Sequence, residues 1–186
     1  MIAVILSLAL SQAVATSDVV QRLDEAEAAA RIYDLHMAGG PPIRPFATVS
    51  ALGSWREPNE VLSLFVYRPS ETETAVVVRK LDLTTGTDSV ASSHRCRGLK
   101  EAVTGLELLN LPAIDVPLLG DHETGLLRPT VKDGVSYTLW MPYPGFSDER
   151  IAYDLELRFT SASSFERWYQ RLMEVADPCW HPAPPA

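Results

Sequence analysis

The stretch IAYDLELRFTSASSFERWYQRLMEVADPCW, residues 151–180, decides the fold because it joins a strand pattern to a helix pattern. Apolar and polar side chains alternate over residues 151–159, which is the two-residue period of a half-buried strand. Ser163 and Glu166 have the spacing of a capping box, and apolar residues then recur at helical spacing. The stretch therefore predicts a strand, then a capped amphipathic helix, then Cys179 soon after the helix ends.

A similar order of elements occurs earlier in the chain. Residues 61–67 and 74–83 are mostly apolar and are separated by a turn that contains proline, so they predict a hairpin. Residues 96–109 then show helical spacing, although two glycines weaken this helix. Cys96 lies at the start of this helix, whereas Cys179 lies at the end of the later one. If the two helices run antiparallel on one face of a shared sheet, the two cysteines meet.

Three further segments complete the predicted sheet. Residues 45–55 predict a short strand, a short extended segment ends at Ser92, and residues 130–141 again alternate in polarity. The expected fold class is α+β, with an antiparallel sheet of five to six strands and two disulfide-linked helices packed on one face. This body would be a single domain over residues 43–180, and residues 181–186 would form a proline-rich tail.

The chain has two cysteines, Cys96 and Cys179, and we expect them to form a disulfide. The bond would close a loop of more than eighty residues. The chain-entropy model gives such a loop a stabilisation of about 4–5 kcal/mol, which strain in the native state usually reduces. The alternative is that the two residues are separate buried thiols.

The first fifteen residues predict export from the cytoplasm. Residues 1–15 form an apolar run that closes on Ala-Val-Ala, the pattern of a signal peptide cleaved before Thr16. The run has no Lys or Arg before it, which departs from the usual pattern. A membrane anchor or a buried strand is the alternative, but an anchor needs roughly 20 apolar residues. The mature chain would then be periplasmic or secreted, with no membrane span.

Residues 16–42 predict an N-terminal helix followed by a linker of glycine and proline. The apolar stripe of this helix consists mainly of alanine and is therefore shallow. We expect the helix to be peripheral to the α+β body.

The formal net charge of −8 argues against nucleic-acid binding, because contacts with phosphates require a concentration of basic side chains. The densest basic group is Arg95, Arg97 and Lys100. These three residues form either a small anion-binding patch or the solvated start of the helix over residues 96–109.

The sequence contains no motif that predicts a catalytic residue, a cofactor or a metal ion. Glycine-rich phosphate loops, a nucleophilic Ser motif and an HExxH motif are all missing. A zinc site at His94 and Cys96 would need ligands from far along the chain, so a disulfide accounts better for Cys96. The one polar cluster in the irregular 110–130 stretch is Asp121, His122 and Glu123, which leaves a hydrolase or lyase as an alternative.

Aromatic residues around a turn are the best sequence candidates for a binding site. Trp140, Tyr143 and Phe146 place large side chains around the predicted end of a strand. Trp140 is out of phase with the apolar residues Tyr137 and Leu139, so it should face the opposite side of the sheet. That face would be a platform for a ligand or partner if it is open, and core if the N-terminal helix covers it.

Aromatic residues of the last helix, Trp168 and Tyr169, lie on its apolar side and are assigned to the core. The sequence thus favours an exported, non-catalytic domain that binds an envelope protein or a small ligand. A structural component of the cell envelope is a further alternative, which would associate with itself.

Overall fold

Seven antiparallel strands form one sheet. Their ranges are β1 Ala47–Leu52, β2 Asn59–Tyr67, β3 Ala75–Asp82, β4 Asp88–Ser92, β5 Ser136–Pro144, β6 Ala152–Thr160 and β7 His181–Pro182. Across the sheet the order is β6-β5-β1-β2-β3-β4-β7. These findings come from a computed structural model, which describes residues 20–36, 41–53, 59–109, 134–144, 152–160 and 163–183.

The described residues also contain three α-helices. Helix α1 covers residues 20–31, and the other two are α2 Leu99–Thr104 and α3 Ser164–Ala176. Short 3₁₀ turns follow α2 and α3. The structure is therefore α+β with an antiparallel sheet, as the sequence predicts.

The N-cap of the capping box predicted for the last helix is present. Ser163 lies just before α3, and its hydroxyl accepts a hydrogen bond of 3.1 Å from the backbone N–H of Glu166. The helix then buries a stripe on the sheet that includes Phe165, Trp168 and Leu172. The spacing of the apolar residues in the sequence therefore determined which side of α3 packs inward.

Helix α2 is shorter than the 96–109 segment that the sequence predicts. Gly98 has a φ of 86°, a left-handed conformation that glycine adopts without strain, and the helix begins after it. Gly105 lies under α3, where a Cβ atom would come within 3.2 Å of the Trp168 ring. The same ring donates a hydrogen bond of 2.8 Å from its Nε1 to the carbonyl oxygen of Ala102. The glycine thus permits the close approach of α2 and α3.

Helices α2 and α3 pack on one face of the sheet, and a disulfide joins them. Cys96 and Cys179 are bonded, with their Cα atoms 5.6 Å apart. This result confirms the predicted pairing and excludes separate thiols. Around the disulfide, α2 and α3 bury the main apolar core against β1, β2, β3 and β5.

Helix α1 and the segment after it lie on the other face of the sheet. Leu23, Ala26 and Ala30 of α1 pack around Val61 of β2. A second small cluster follows, in which Leu35 contacts strand residues. The sheet therefore lies between two layers, and the α1 layer is the thinner one.

The predicted number of strands, five to six, was too low, because the chain forms a seventh strand after the disulfide. In β7, His181 and Pro182 pair with Val90 and Ser89 of β4. A proline lacks the N–H that a central strand needs, but β7 lies at the edge of the sheet, where proline is tolerated. The proline-rich composition of this end of the chain therefore concealed the strand.

Several predicted features lie outside the described residues. They include the signal peptide over residues 1–15, the 110–130 stretch with its Asp121-His122-Glu123 cluster, and Phe146. Among the residues that are described, no helix combines the length and the apolar character that crossing a bilayer requires.

Candidate functional site

A cleft of about 600 Å³ opens between α3 and the sheet. Strands β2 and β5 contribute its floor, and α3 contributes its wall. We call it the Glu60 cleft, and its lining consists of Glu60, Val135, Tyr137, Glu166, Tyr169, Gln170, Met173 and Glu174.

Glu60 lies in the floor of this cleft because strand β2 begins one residue before it. Alternation along β2 places Glu60 on the same face as Leu62 and Leu64, which belong to the core under α3. Its side chain is accordingly buried, with a relative exposure of 6%. A carboxyl group so deeply placed loses most of its hydration and requires polar partners.

The hydroxyl of Tyr169 is the polar partner of Glu60. It donates a hydrogen bond to Oε1 of Glu60 and connects α3 to β2. Burial raises the pKa of Glu60 above its ordinary value of 4.5, although the Tyr169 hydrogen bond and the charge of Lys80 oppose this change. Burial and the nearby Glu60 also raise the pKa of Tyr169 well above 10.0, so the phenol stays protonated at neutral pH.

The second carboxylate oxygen of Glu60, Oε2, is available to a ligand. Tyr169 is the only described residue that hydrogen-bonds Glu60, and it uses Oε1. Oε2 has no hydrogen-bond partner among the described residues, and Glu60 belongs to the lining of the cleft. A ligand in the cleft can thus reach an acceptor on a side chain that is otherwise buried.

Two tyrosines lie next to Glu60 in the lining. The rings of Tyr137 and Tyr169 have centroids 5.0 Å apart, and Tyr137 also packs on Phe165. The hydroxyl of Tyr137 lies 3.4 Å from a carboxylate oxygen of Glu166. The tyrosines thus connect the acidic groups of the cleft to the core, which fixes their positions.

The charge of the lining is acidic. Glu60, Glu166 and Glu174 contribute carboxyl groups, and no Lys or Arg is among the described residues of the lining. Lys80 is near enough to affect Glu60, but its Nζ lies 4.7 Å from the centroid of the Trp180 ring. The negative charge of Asp82 opposes Lys80 at Glu60. The cleft therefore presents acceptors and negative charge to a ligand.

No group of three metal-ligating side chains occurs among the described residues. The chemistry that the cleft supports directly is the acceptance of hydrogen bonds and the attraction of positive charge. Burial also raises the pKa of Glu60 above its ordinary value, so it keeps its proton to a higher pH than an exposed glutamate does.

Of the aromatic residues that the sequence nominates, Trp140 is buried, with a relative exposure of 8%. It faces α1, where the guanidinium carbon of Arg31 lies 5.4 Å from its ring centroid. The covered face, which the sequence leaves as an alternative, is therefore the observed arrangement for this residue. The side chains of Tyr143 and Phe146 lie outside the described residues, so a role for the three in binding stays a prediction.

Two other concave surfaces occur on the α2 side of the described structure. A groove of about 500 Å³ has an apolar lining that includes Phe46, Val103 and Met141. A hollow of about 410 Å³ lies beside the disulfide, and its lining mixes Arg97 and Lys100 with acidic residues. Acidic neighbours reduce its attraction for an anion, so the basic group predicted from the sequence gains no support as a patch.

The Glu60–Tyr169 pair was missed at the level of sequence. The sequence analysis assigns Tyr169 to the core and does not single out Glu60, and 109 positions separate the two residues. One signal was available: Glu60 directly precedes the nearly continuous apolar run of β2. A carboxylate there is either outside the strand or buried with a partner, and only the fold distinguishes these possibilities.

Comparison with protein-family models, with curated proteins and with solved structures finds no match for this chain. The geometry of its own residues therefore carries the argument about function.

Proposed function

We propose that this protein is a non-catalytic binding domain that acts outside the cytoplasm, in the periplasm or as a secreted protein. We place its ligand-binding site in the Glu60 cleft. The observation that carries this proposal is a buried carboxylate with one paired and one available oxygen, held in a cavity of about 600 Å³. Concave sites with a few fixed polar groups on partly apolar walls are typical of ligand-binding pockets.

The residue types in the lining favour binding over catalysis. The described residues of the lining include no Ser, Cys or His, the side chains that most often act as nucleophile or general base. Tyr169 keeps its proton at neutral pH and so serves as a hydrogen-bond donor. The cleft thus has groups that recognise a ligand.

The disulfide supports a location outside the cytoplasm. Disulfides persist in oxidising compartments and are rare in the reducing cytosol. The Cys96–Cys179 bond is therefore compatible with export by the signal peptide that the sequence predicts. N-terminal sequencing of the protein recovered from the cell envelope or the medium tests this, with Thr16 as the expected first residue.

The test of the site is a thermal-shift screen of the oxidised protein against small metabolites and peptides. A true ligand raises the melting temperature of the native chain and of the control Glu101→Gln, whose side chain is exposed on α2. The shift should shrink strongly in Glu60→Gln. A ligand whose effect is the same in Glu60→Gln and in the native chain would remove the cleft from the proposal.

The alternatives have different outcomes. A hydrolase or lyase that uses Asp121, His122 and Glu123 would show turnover in a broad activity screen, and His122→Ala would abolish it. A structural component of the envelope would elute as an oligomer from a sizing column and bind no small molecule.

A further inference from the structure

We infer that the Glu60 cleft recognises a primary alkylammonium group, either that of a free amine or that of a lysine side chain. This inference rests on the proposed binding function and adds the chemical class of the ligand. It follows from the charge of the lining, from the pairing of Glu60 and from the apolar walls.

The charge of the lining selects a cation. Among the described residues that line the cleft, Glu60 and Glu174 are acidic and none is basic, and Glu60 is nine-tenths buried. Carboxylates that are shielded from water attract opposite charge more strongly than exposed ones. The same carboxylates would repel an anionic ligand, because like charges repel one another at short range. The opposing charges of Lys80 and Asp82 lie beside Glu60 without lining the cleft.

The pairing of Glu60 selects an ammonium group over a guanidinium group. A guanidinium binds a carboxylate best through two parallel hydrogen bonds, which require both oxygens. Tyr169 already occupies Oε1 of Glu60, so one oxygen is left. An ammonium group carries three donors on one nitrogen and can bind through a single hydrogen bond. It can therefore donate to Oε2 while its other donors point to other acceptors.

The remaining lining suits the chain that carries the ammonium group. Val135 and Met173 supply apolar wall, and a thioether adapts readily to methylene groups of different length. The rings of Tyr137 and Tyr169 add electron-rich aromatic surface that favours a cation close by. Gln170 and Glu174 are exposed on α3 and form the outer part of the cleft.

The experiment is a titration of the full oxidised chain followed by amide chemical shifts in NMR. The probes are n-butylammonium chloride, 1,4-diaminobutane, a blocked lysine peptide and the matching blocked arginine peptide. Neutral n-butanol is the control ligand. We expect the cations to shift the amide signals of Glu60, Tyr169 and Met173, and the alcohol to leave them unchanged. Tighter binding of the diamine would identify a free amine as the source, and tighter binding of the lysine peptide would identify a protein side chain.

Variants give the inference a graded test. Glu60→Gln should weaken ammonium binding by about tenfold or more, the effect of losing a buried charge-assisted hydrogen bond. Glu174→Gln should weaken it only slightly because its charge is exposed to solvent. Tyr169→Phe frees the second oxygen of Glu60, so it should improve binding of the arginine probe relative to the lysine probe. Glu101→Gln is the control, and circular dichroism confirms that each variant is folded.

The possible failures are distinguishable from failure of the proposed function. If n-butanol shifts the cleft signals as strongly as n-butylammonium, or if no cation shifts them, the ligand class is wrong while the cleft remains a binding site to be tested by the thermal screen. If cations bind equally well to Glu60→Gln and shift signals elsewhere, the inference is overturned. If the thermal screen also yields no ligand that depends on Glu60, the proposed function is overturned as well.

Discussion

The two faces of the sheet differ in chemistry although the same strands form both. The α3 face buries large apolar side chains, among them Leu62, Leu64, Phe165 and Leu172, each of which has a relative exposure below 2%. Directly behind them, the α1 face buries small polar groups at Thr48, Ser50 and Ser63 beside apolar residues such as Phe65.

Polar contacts add to the apolar packing of α1 on the sheet. Ser50 hydrogen-bonds Glu27 of α1, and Arg31 of α1 forms ion pairs with Glu27 and with Glu156 of β6. The guanidinium of Arg22 also donates a hydrogen bond of 2.7 Å to the carbonyl oxygen of Leu83. Such exposed or half-buried polar contacts each contribute little to stability, whereas burial of large apolar groups contributes most.

The α1 face also leaves buried polar atoms without partners. Thr48 Oγ1, Ser63 Oγ and Trp140 Nε1 have no hydrogen-bond partner within the described part of the chain. Each such atom costs on the order of 1–3 kcal/mol relative to a satisfied one. The comparison teaches that the α3 face buries one large apolar core, while the α1 face combines smaller apolar clusters with buried polar groups.

The largest predicted effect is loss of an aromatic side chain from the α3 face. Phe165→Ala should lower the free energy of unfolding by about 3–5 kcal/mol, because Phe165 is fully buried among other rings. Leu23→Ala on α1 should lower it by only about 2 kcal/mol, because its cluster is small and several of its neighbours are only partly buried. Urea unfolding measures both, and equal losses would mean that the two faces form one equivalent core.

The disulfide lies on the α3 face, and its removal should cause the second largest loss of stability. The double variant Cys96→Ala with Cys179→Ala should lower the free energy of unfolding by about 2–4 kcal/mol, since an unfolded chain without the bond gains conformational entropy. Trypsin cleavage under native conditions locates the change, which should appear around α2 and α3. Cleavage that increases only in α1 would contradict this assignment of the bond to one face.

Two serines on the α1 face offer a matched pair of smaller effects. Ser50→Ala should destabilise by about 1 kcal/mol because it removes the hydrogen-bond partner of Glu27. Ser63→Ala should be neutral or slightly stabilising because no described residue pairs with its buried hydroxyl. Thermal unfolding under the same conditions compares the stability of the two variants. A similar loss of stability in both would show that the Ser63 hydroxyl has a partner.

One glutamate on each face should make stability depend on pH, and the two dependences should have opposite directions. Burial raises the pKa of Glu60, so its contribution to stability is full below 4.5 and is lost as the pH rises through its folded pKa. Hydrogen bonds from Arg158 and Arg31 lower the pKa of Glu156, so its contribution is present above 4.5 and is lost as the pH falls.

Urea midpoints measured across the pH range test these signs. Glu60→Gln should flatten the decline in stability above pH 4.5, and Glu156→Gln should flatten the decline below it. If Glu60→Gln steepens the decline above 4.5, the environment of Glu60 described above is wrong.

Local sequence patterns predicted the α3 face well. The strand before Thr160, the N-cap at Ser163 and the helical stripe through Leu172 are all present, because each depends on residues within a few positions of one another. The disulfide was predictable because only two cysteines exist. These features required no knowledge of how distant segments meet.

The α1 face and the Glu60 cleft were harder to predict. The alanine-rich pattern predicted the helix over residues 20–31 but did not indicate which surface this helix covers. The burial of Trp140 was therefore left open. Tyr169 had an apolar environment consistent with core, and its hydroxyl gave no indication of a partner. The short strand β7 was concealed because its pairing with β4 depends on where the disulfide places the chain.

The sequence by itself thus determined the α+β class, the capped helix α3 and the pairing of Cys96 with Cys179. Periodicity and spacing are local properties, and they are visible without coordinates. Only the tertiary structure decided that α1 covers a polar face and that Tyr169 hydrogen-bonds Glu60 beside an open cleft. The physical reason is that burial and hydrogen-bond partnership depend on groups brought together from distant parts of the chain.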